Sequence, residues 1–286
     1  MFTRQRTGSV VCPSCGSLVG VNDEKCYTCG RRNPGMWGFA PLLKRLGNDF
    51  GFVPLATAGC VGLYLVSLLM SWPDVGGRGV FSLLSPATQS LFLLGASGSV
   101  PVFQFDRWWT VLSAGWLHGG VLHILFNVLW VRQLGPAVAH LYGAARLVII
   151  YTLAGVVAFA LSSFAGEYLG FLPLPQLRGA GITVGASGPI FGLLGALVYY
   201  GRRTGSSVVH SQALGYALTL GLFGFIMPGV DNYAHLGGFA GGYLVAQFLD
   251  PLRPERTDHM VAALCCLAAT AVAVFVSVAD GLKYLR

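Results

Sequence analysis

Apolar residues of this chain are concentrated in seven long runs separated by short polar or Pro- and Gly-rich segments. The runs cover residues 52–71, 115–135, 145–165, 186–201, 210–227, 233–249 and 260–279. An α-helix needs about 20 mainly apolar residues to cross roughly 30 Å of hydrocarbon. The pattern therefore predicts seven membrane-spanning helices. The fourth and sixth are short and rich in glycine, and Gly135-Pro136 is expected to end the second.

Composition supports this interpretation. Hydrophobic residues make up 54% of the 286 and charged residues only 10%, whereas soluble domains carry about 25% charged residues. We therefore expect an all-α polytopic membrane protein in contact with the lipid bilayer. The net charge of +7 is scattered between the apolar runs rather than clustered, which argues against a nucleic-acid partner.

Lysine and arginine placement predicts the orientation, because these residues are enriched in cytoplasmic segments. With the N-terminus in the cytosol, thirteen basic residues fall inside and five fall outside. The inner set is Arg4, Arg6, Lys25, Arg31, Arg32, Lys44, Arg45, Arg132, Arg146, Arg202, Arg203, Arg253 and Arg256. The outer set is Arg78, Arg107, Arg178, Lys283 and Arg286. We expect a cytoplasmic N-terminus and an external C-terminus.

A serine and a histidine open the two glycine-rich spans. Ser187 lies at the start of the fourth span and His235 at the start of the sixth, and both spans begin at the outer surface. The two side chains should therefore share one depth. An imidazole that takes the serine proton makes Ser187 a candidate nucleophile and His235 its candidate general base. Either residue alone is explained as well by capping or packing, but the matched pair favours catalysis.

Small residues explain how the two helices could approach each other. Glycines recur along both spans at Gly188, Gly192, Gly195, Gly237, Gly238, Gly241 and Gly242. Such stripes allow transmembrane backbones to pack closely.

His123 and Asn127 lie four residues apart on one face of the second span. With the backbone N–H of Ser187, they could donate hydrogen bonds to the negative oxygen that develops during acyl hydrolysis. The alternative is a hydrogen bond that joins the second span to a neighbouring helix.

These motifs resemble those of the rhomboid intramembrane serine proteases. The matching segments are Trp116-Leu-His118-Gly-Gly120, His123-Ile-Leu-Phe-Asn127, Gly185-Ala-Ser187-Gly188 and Ala234-His235. The resemblance implies a six-helix catalytic core with a Ser–His dyad, an oxyanion site at His123 and Asn127, and no catalytic cofactor. It also implies transmembrane-helix substrates cut near their outer ends, in a multi-pass protein of bacterial plasma-membrane type. The seventh span matches the family's variant with one extra C-terminal helix.

Gly185, Gly188 and Gly238 are expected to support the site, and two positions depart from the family. Thr110 follows Trp109 where many members have a Trp-Arg pair, although Arg107 lies nearby. Phe191 occupies the position of a tyrosine that usually stacks on the histidine, so the stacking should survive without the hydroxyl.

Two other functions remain open at this point. A catalytically silent relative could bind transmembrane clients without cutting them, but such relatives typically lack the serine or the histidine. A transporter could use the same polar groups, but the spans offer no carboxylate relay and no inverted repeat. Asp231 is interpreted as the cap of the sixth helix rather than a third catalytic member.

The N-terminal segment contains two Cys-x-x-Cys pairs, Cys12/Cys15 and Cys26/Cys29, each followed by glycine. The spacing is typical of a tetrahedral site with four thiolates and predicts structural Zn²⁺ in a small ribbon, for which a cytosolic partner remains open. We expect a zinc-ribbon-like segment at 1–35, a linker at 36–51, the catalytic core at 52–250, and the seventh helix with its tail at 251–286.

Overall fold

Two short strands precede the membrane helices in the computed structural model, which describes residues 4–76, 82–227 and 229–284. Strand β1 (Ser9–Val11) pairs antiparallel with β2 (Leu18–Gly20). A Cys-x-x-Cys turn follows each strand, which gives the ribbon its shape. The predicted linker contains a further element, the short helix α1 (Ala40–Arg45).

Nine more helices follow in the described residues. They are α2 (Phe52–Met70), α3 (Thr88–Leu94), α4 (Thr110–Ser113), α5 (Val121–Tyr142), α6 (Ala144–Tyr168), α7 (Ser187–Thr204), α8 (Ser207–Ile226), α9 (Asn232–Phe248) and α10 (Thr257–Gly281). The seven long helices correspond one to one to the predicted spans. Within the described ranges, α2, α5, α6, α8 and α10 are long and apolar enough to cross a membrane. The other two, α7 and α9, are the short glycine-rich helices of the pattern.

The second span differs from its prediction at both ends. Helix α5 begins at Val121 rather than residue 115, because α4 and a 3-10 turn at Ala114–Trp116 occupy the preceding segment. The helix also continues through Pro136 to Tyr142, so the expectation that Gly135-Pro136 ends it was wrong. A proline's missing N–H is tolerated inside a membrane helix when neighbouring groups compensate.

Helix α7 lies at the centre of the bundle, in contact with α5, α6, α8 and α9. Its glycines meet those of α9 so closely that side chains have no room. A Cβ on Gly238 would overlap the carbonyl oxygen of Gly188, and a Cβ on Gly242 would overlap that of Gly192. The two backbones are therefore in direct contact, which confirms the predicted close approach.

A buried ion pair holds the ribbon against the membrane helices. Arg31, which is 2% exposed, donates to Ser14 Oγ at 2.8 Å and to Glu255 Oε2 at 3.3 Å. The other oxygen of Glu255 accepts from the backbone N–H groups of Ala145 and Arg146, at the start of α6. The ribbon therefore lies where α6 begins, at the end of the bundle opposite to the start of α7.

The predicted orientation remains a prediction. Two of the basic residues on which it depends, Arg78 and Arg286, lie outside the described residues.

Replacing Gly238 with valine tests the contact between α7 and α9. A branched side chain cannot fit against the Gly188 carbonyl, so Gly238→Val should cost about 1–3 kcal/mol or more. The control is Gly215→Val on α8, where an added Cβ would meet nothing within 4 Å. Thermal unfolding in detergent should show a lower midpoint for Gly238→Val alone, and equal midpoints for the two variants would contradict the contact.

Candidate active site

Ser187 is the first residue of α7 and is partly buried. The chain reaches it through Gly185, whose φ of +127° is strained for any residue with a side chain. The N–H of Gly185 donates to the carbonyl of Ala114 at 3.0 Å, which fixes this turn. Because the first N–H groups of a helix have no acceptor within the helix, the N–H of Ser187 can serve a ligand.

The His235 ring lies against the same helix. It stacks on the ring of Phe191, with centroids 4.1 Å apart and an angle of 16° between the planes. Phe191 follows Ser187 by one helical turn, so both side chains are on one face of α7. The predicted stacking is confirmed.

Asp231 has the capping role that the sequence indicated. One carboxylate oxygen accepts from the N–H of Ala234 at 3.0 Å, and the other accepts from the hydroxyl of Ser162. The Nδ1 atom of His235 is buried and has no hydrogen-bond partner among the described residues. Asp231 therefore makes no hydrogen bond to His235 Nδ1 in the described structure, and its second partner, Ser162, is a residue that the sequence analysis did not single out.

No hydrogen bond joins Ser187 and His235 in the described part of the chain. The two residues lie on helices in backbone contact, and a Cβ on Gly188 would come 3.5 Å from the carbonyl oxygen of Ala234. Catalytic hydrogen bonds in unliganded sites are often long and tighten only when substrate binds. The Ser187–His235 dyad therefore remains a prediction, and the two residues lie on helices close enough for this hydrogen bond to form when substrate binds.

Two side-chain nitrogen atoms lie beside Gly185. His123 accepts from the N–H of Gly119 at its Nδ1 atom, 3.3 Å away, so its proton belongs on Nε2. A Cβ on Gly185 would lie 2.5 Å from that Nε2 and 3.6 Å from Nδ2 of Asn127. The backbone at residue 185 therefore packs against the His123 ring with no room for a side chain, and both nitrogen atoms lie next to the turn that leads to Ser187.

Asn127 has an unused donor beside Gly185. The residue is only 5% exposed, yet its Nδ2 has no partner in the described structure. Buried polar groups are nearly always hydrogen-bonded, so an exception calls for an explanation such as a ligand. Nδ2 makes no hydrogen bond in the described structure, so it gives no support to the alternative that Asn127 joins α5 to a neighbouring helix.

His118 is a third group without hydrogen-bond partners near the site. It is fully buried, and neither ring nitrogen has a partner among the described residues. Its ring meets that of His123 edge to face, with centroids 5.2 Å apart. His118 therefore packs directly against a candidate oxyanion donor, which its place in the sequence motif alone did not indicate.

The four N-terminal cysteines form one cluster, with all sulfur atoms within 4.8 Å of one another. The Sγ atoms of Cys12 and Cys29 are 3.8 Å apart, and those of Cys15 and Cys26 are 3.6 Å apart. Zn–S bonds of 2.3 Å in a tetrahedron separate the sulfurs by about 3.8 Å. The knuckle glycines, Gly16 and Gly30, have φ of +78° and +77°, as the tight turns require. The cluster has the geometry to hold a metal ion.

Comparison with known proteins assigns the family. Residues 106–251 match the family model described as the rhomboid domain. The chain belongs to the rhomboid family. It is 36% identical over 181 residues to RHOMBOID-like protein 4 of Arabidopsis thaliana, and 34% identical over 173 residues to the rhomboid protease GluP of Bacillus subtilis. These alignments span 60% and 58% of the chain.

A shorter relative is the putative rhomboid protease YdcA of Bacillus subtilis, 30% identical over 153 residues, which are 52% of this chain and 71% of that protein. The alignments to RHOMBOID-like protein 4 and GluP span only 42% and 30% of those longer proteins. The chain is a multi-pass membrane protein, and its family is one of intramembrane proteases.

Changing Asn127 to alanine tests whether its amide acts as a hydrogen-bond donor in the site. Because Nδ2 has no partner in the described structure, Asn127→Ala should leave the thermal midpoint almost unchanged. Removal of one oxyanion donor should lower kcat about 10²- to 10³-fold with little change in KM. The control is Gln212→Ala, which removes an exposed amide on α8. A large loss of stability with normal turnover of the folded fraction would mean that Asn127 has only a packing role.

Proposed function

We propose that this chain is a serine endopeptidase that cleaves transmembrane-helix substrates within the membrane, near the outer end of the substrate helix. Ser187 is the nucleophile and His235 the general base. The observation that carries the proposal is the position of two donors, His123 Nε2 and Asn127 Nδ2, beside Gly185, with Asn127 Nδ2 buried and without a partner in the described structure. Family membership and the stacking of His235 one turn from Ser187 support it.

Acylation would begin when His235 takes the proton of the Ser187 hydroxyl. The Oγ atom attacks the carbonyl carbon of the scissile peptide bond, and the carbonyl oxygen becomes negative. The amide of Asn127, Nε2–H of His123 and the backbone N–H of Ser187 donate to that oxygen. His235 then gives its proton to the leaving amine, and the peptide bond breaks.

Deacylation would repeat these steps with water as the nucleophile. His235 removes a proton from water, the hydroxide attacks the ester carbonyl, the bond from the carbonyl carbon to Ser187 Oγ breaks, and the proton passes to Oγ. Both chemical steps need only water and groups of this chain, so the proposed catalysis requires no cofactor. Asp231 is given no part, because it caps α9 and accepts from Ser162, while His235 Nδ1 has no partner among the described residues.

The charge bias supports a cytosolic N-terminus and an external C-terminus, and the resemblance to the family adds the proposal of a plasma membrane of bacterial type. In that orientation α7 and α9 begin at the outer surface, and the ribbon lies on the cytosolic side. Substrate helices would therefore be cut close to their outer ends.

Labelling with a fluorophosphonate serine probe tests the nucleophile. The probe should label the wild type, and the label should disappear in Ser187→Ala and His235→Ala, together with cleavage of a reporter transmembrane substrate. Ser211→Ala on the exposed face of α8 is the control and should be labelled normally. Retained cleavage by folded Ser187→Ala would remove the protease assignment, and an unlabelled, inactive wild type would favour the silent, client-binding alternative.

For the ribbon, we propose that Zn²⁺ bound by the four cysteines supplies the energy that folds this small segment. A segment with two three-residue strands cannot bury a large core, and metal binding contributes folding free energy directly. The four thiolates complete a tetrahedral set and leave no open position for catalysis.

Zinc content tests this role. Purified Cys12→Ser should bind less zinc per chain than the wild type, because one of four ligands is lost. Cys265→Ser, which changes an exposed cysteine of α10, should bind the wild-type amount. Elemental analysis gives the ratio, and an undiminished ratio in Cys12→Ser would contradict the four-thiolate site.

A further inference from the structure

Arg107 is a fully buried arginine in the loop between α3 and α4. Its guanidinium donates to the carbonyl of Phe92 at 2.6 Å and to the carbonyl of Ser277 at 2.7 Å. It also lies 4.3 Å from the centroid of the Phe92 ring. Its Nε is 3.3 Å from Oδ2 of Asp280, close enough for an ion pair although not aligned as a hydrogen bond. A buried charge with this many contacts indicates a specific role.

The contacts of this loop with α10 extend beyond Arg107. The indole N–H of Trp109 donates to the hydroxyl of Ser277 at 3.1 Å. A Cβ on Gly95 would lie 2.6 Å from that hydroxyl, and a Cβ on Gly281 would lie 2.7 Å from the side chain of Leu93. The last turns of α10 therefore fit closely against the loop on the side where Ser187 lies.

The same loop holds the segment that leads to the proposed nucleophile. Ser97 and Thr183 exchange two backbone hydrogen bonds, of 3.1 Å and 2.8 Å. The N–H groups of Ser99 and Val100 donate to the carbonyls of residues 180 and 181, and the Ala114 carbonyl accepts from residue 185. This set of backbone bonds fixes residues 180–185 immediately before α7 begins.

We propose that Arg107 is a positioning residue for the catalytic serine, and that α10 provides its anchor. Through Ser277 and Asp280, α10 holds the loop, the loop holds residues 180–185, and these set the position of Gly185 against His123 and the orientation of Ser187. On this proposal α10, the seventh membrane helix, helps to position the catalytic serine and is more than an added membrane anchor. This inference rests on the proposed function.

The test compares Arg107→Met with Arg178→Met, which removes an exposed arginine from the loop between α6 and α7. The rate of fluorophosphonate labelling at Ser187, kcat and KM for a reporter substrate, and the folded fraction are measured for each. A displaced nucleophile should lower the labelling rate and kcat about 10- to 100-fold per folded molecule, with little change in KM. Arg178→Met should match the wild type.

Two further variants separate positioning from loss of folding. Asp280→Asn removes one contact of Arg107 and should cause a smaller fall in labelling, which disappears when Arg107→Met is already present. Arg107→Lys should restore part of the rate, since an ammonium reaches one acceptor but lacks the fork that spans two carbonyls.

Three results would overturn the inference. The first is wild-type labelling per folded molecule in Arg107→Met. The second is a loss of labelling that follows the folded fraction alone, and the third is additive effects of the two single variants. A wild-type protein that is never labelled at Ser187 would instead overturn the proposed function, and this inference with it.

Discussion

The direct backbone contact between α7 and α9 is the constraint on which the rest of the structure depends. Gly188 and Gly238 meet with no room for a side chain between them, and the same arrangement recurs one turn further on at Gly192 and Gly242. Apolar burial gives little drive for helix association in lipid, so close van der Waals packing must hold such helices together. That packing lets a histidine at the start of one helix stack beside the serine helix.

The buried polar groups of the described structure are of two kinds. Some have hydrogen-bond or ion-pair partners, and others have none. Asp231 and Glu255 are fully engaged in capping and ion pairing, and so contribute to stability. Asn127 and His118 are buried with nitrogen atoms that have no partner among the described residues. Unmade hydrogen bonds are expensive in a low-dielectric interior, and the proposed function assigns a substrate oxygen as the partner of Asn127 Nδ2, which lies beside Gly185.

Local patterns in the sequence were enough to predict much of this structure. The seven spans, the glycine stripes, the Asp231 cap and the cysteine cluster each depend on residues near in sequence or on simple spacing, whereas the stacking of Phe191 on His235 was predicted from the resemblance to the family. The contacts that could not be predicted join distant positions: Arg107 reaches Ser277 across 170 residues, and Arg31 reaches Glu255 across 224. The start of α5 was misplaced for the same reason, because the bond from Gly185 to Ala114 stabilises the turns before it. Apolar periodicity carries no information about such partners.

The most direct test of the account is an experimental structure of the protein after reaction with a fluorophosphonate. The account predicts phosphorus bonded to Ser187 Oγ, with a phosphoryl oxygen within hydrogen-bond distance of Asn127 Nδ2 and His123 Nε2. It also predicts that Gly188 and Gly238 remain in backbone contact. An adduct on another residue, a phosphoryl oxygen that points away from these two donors, or helices α7 and α9 separated by a side chain would contradict it.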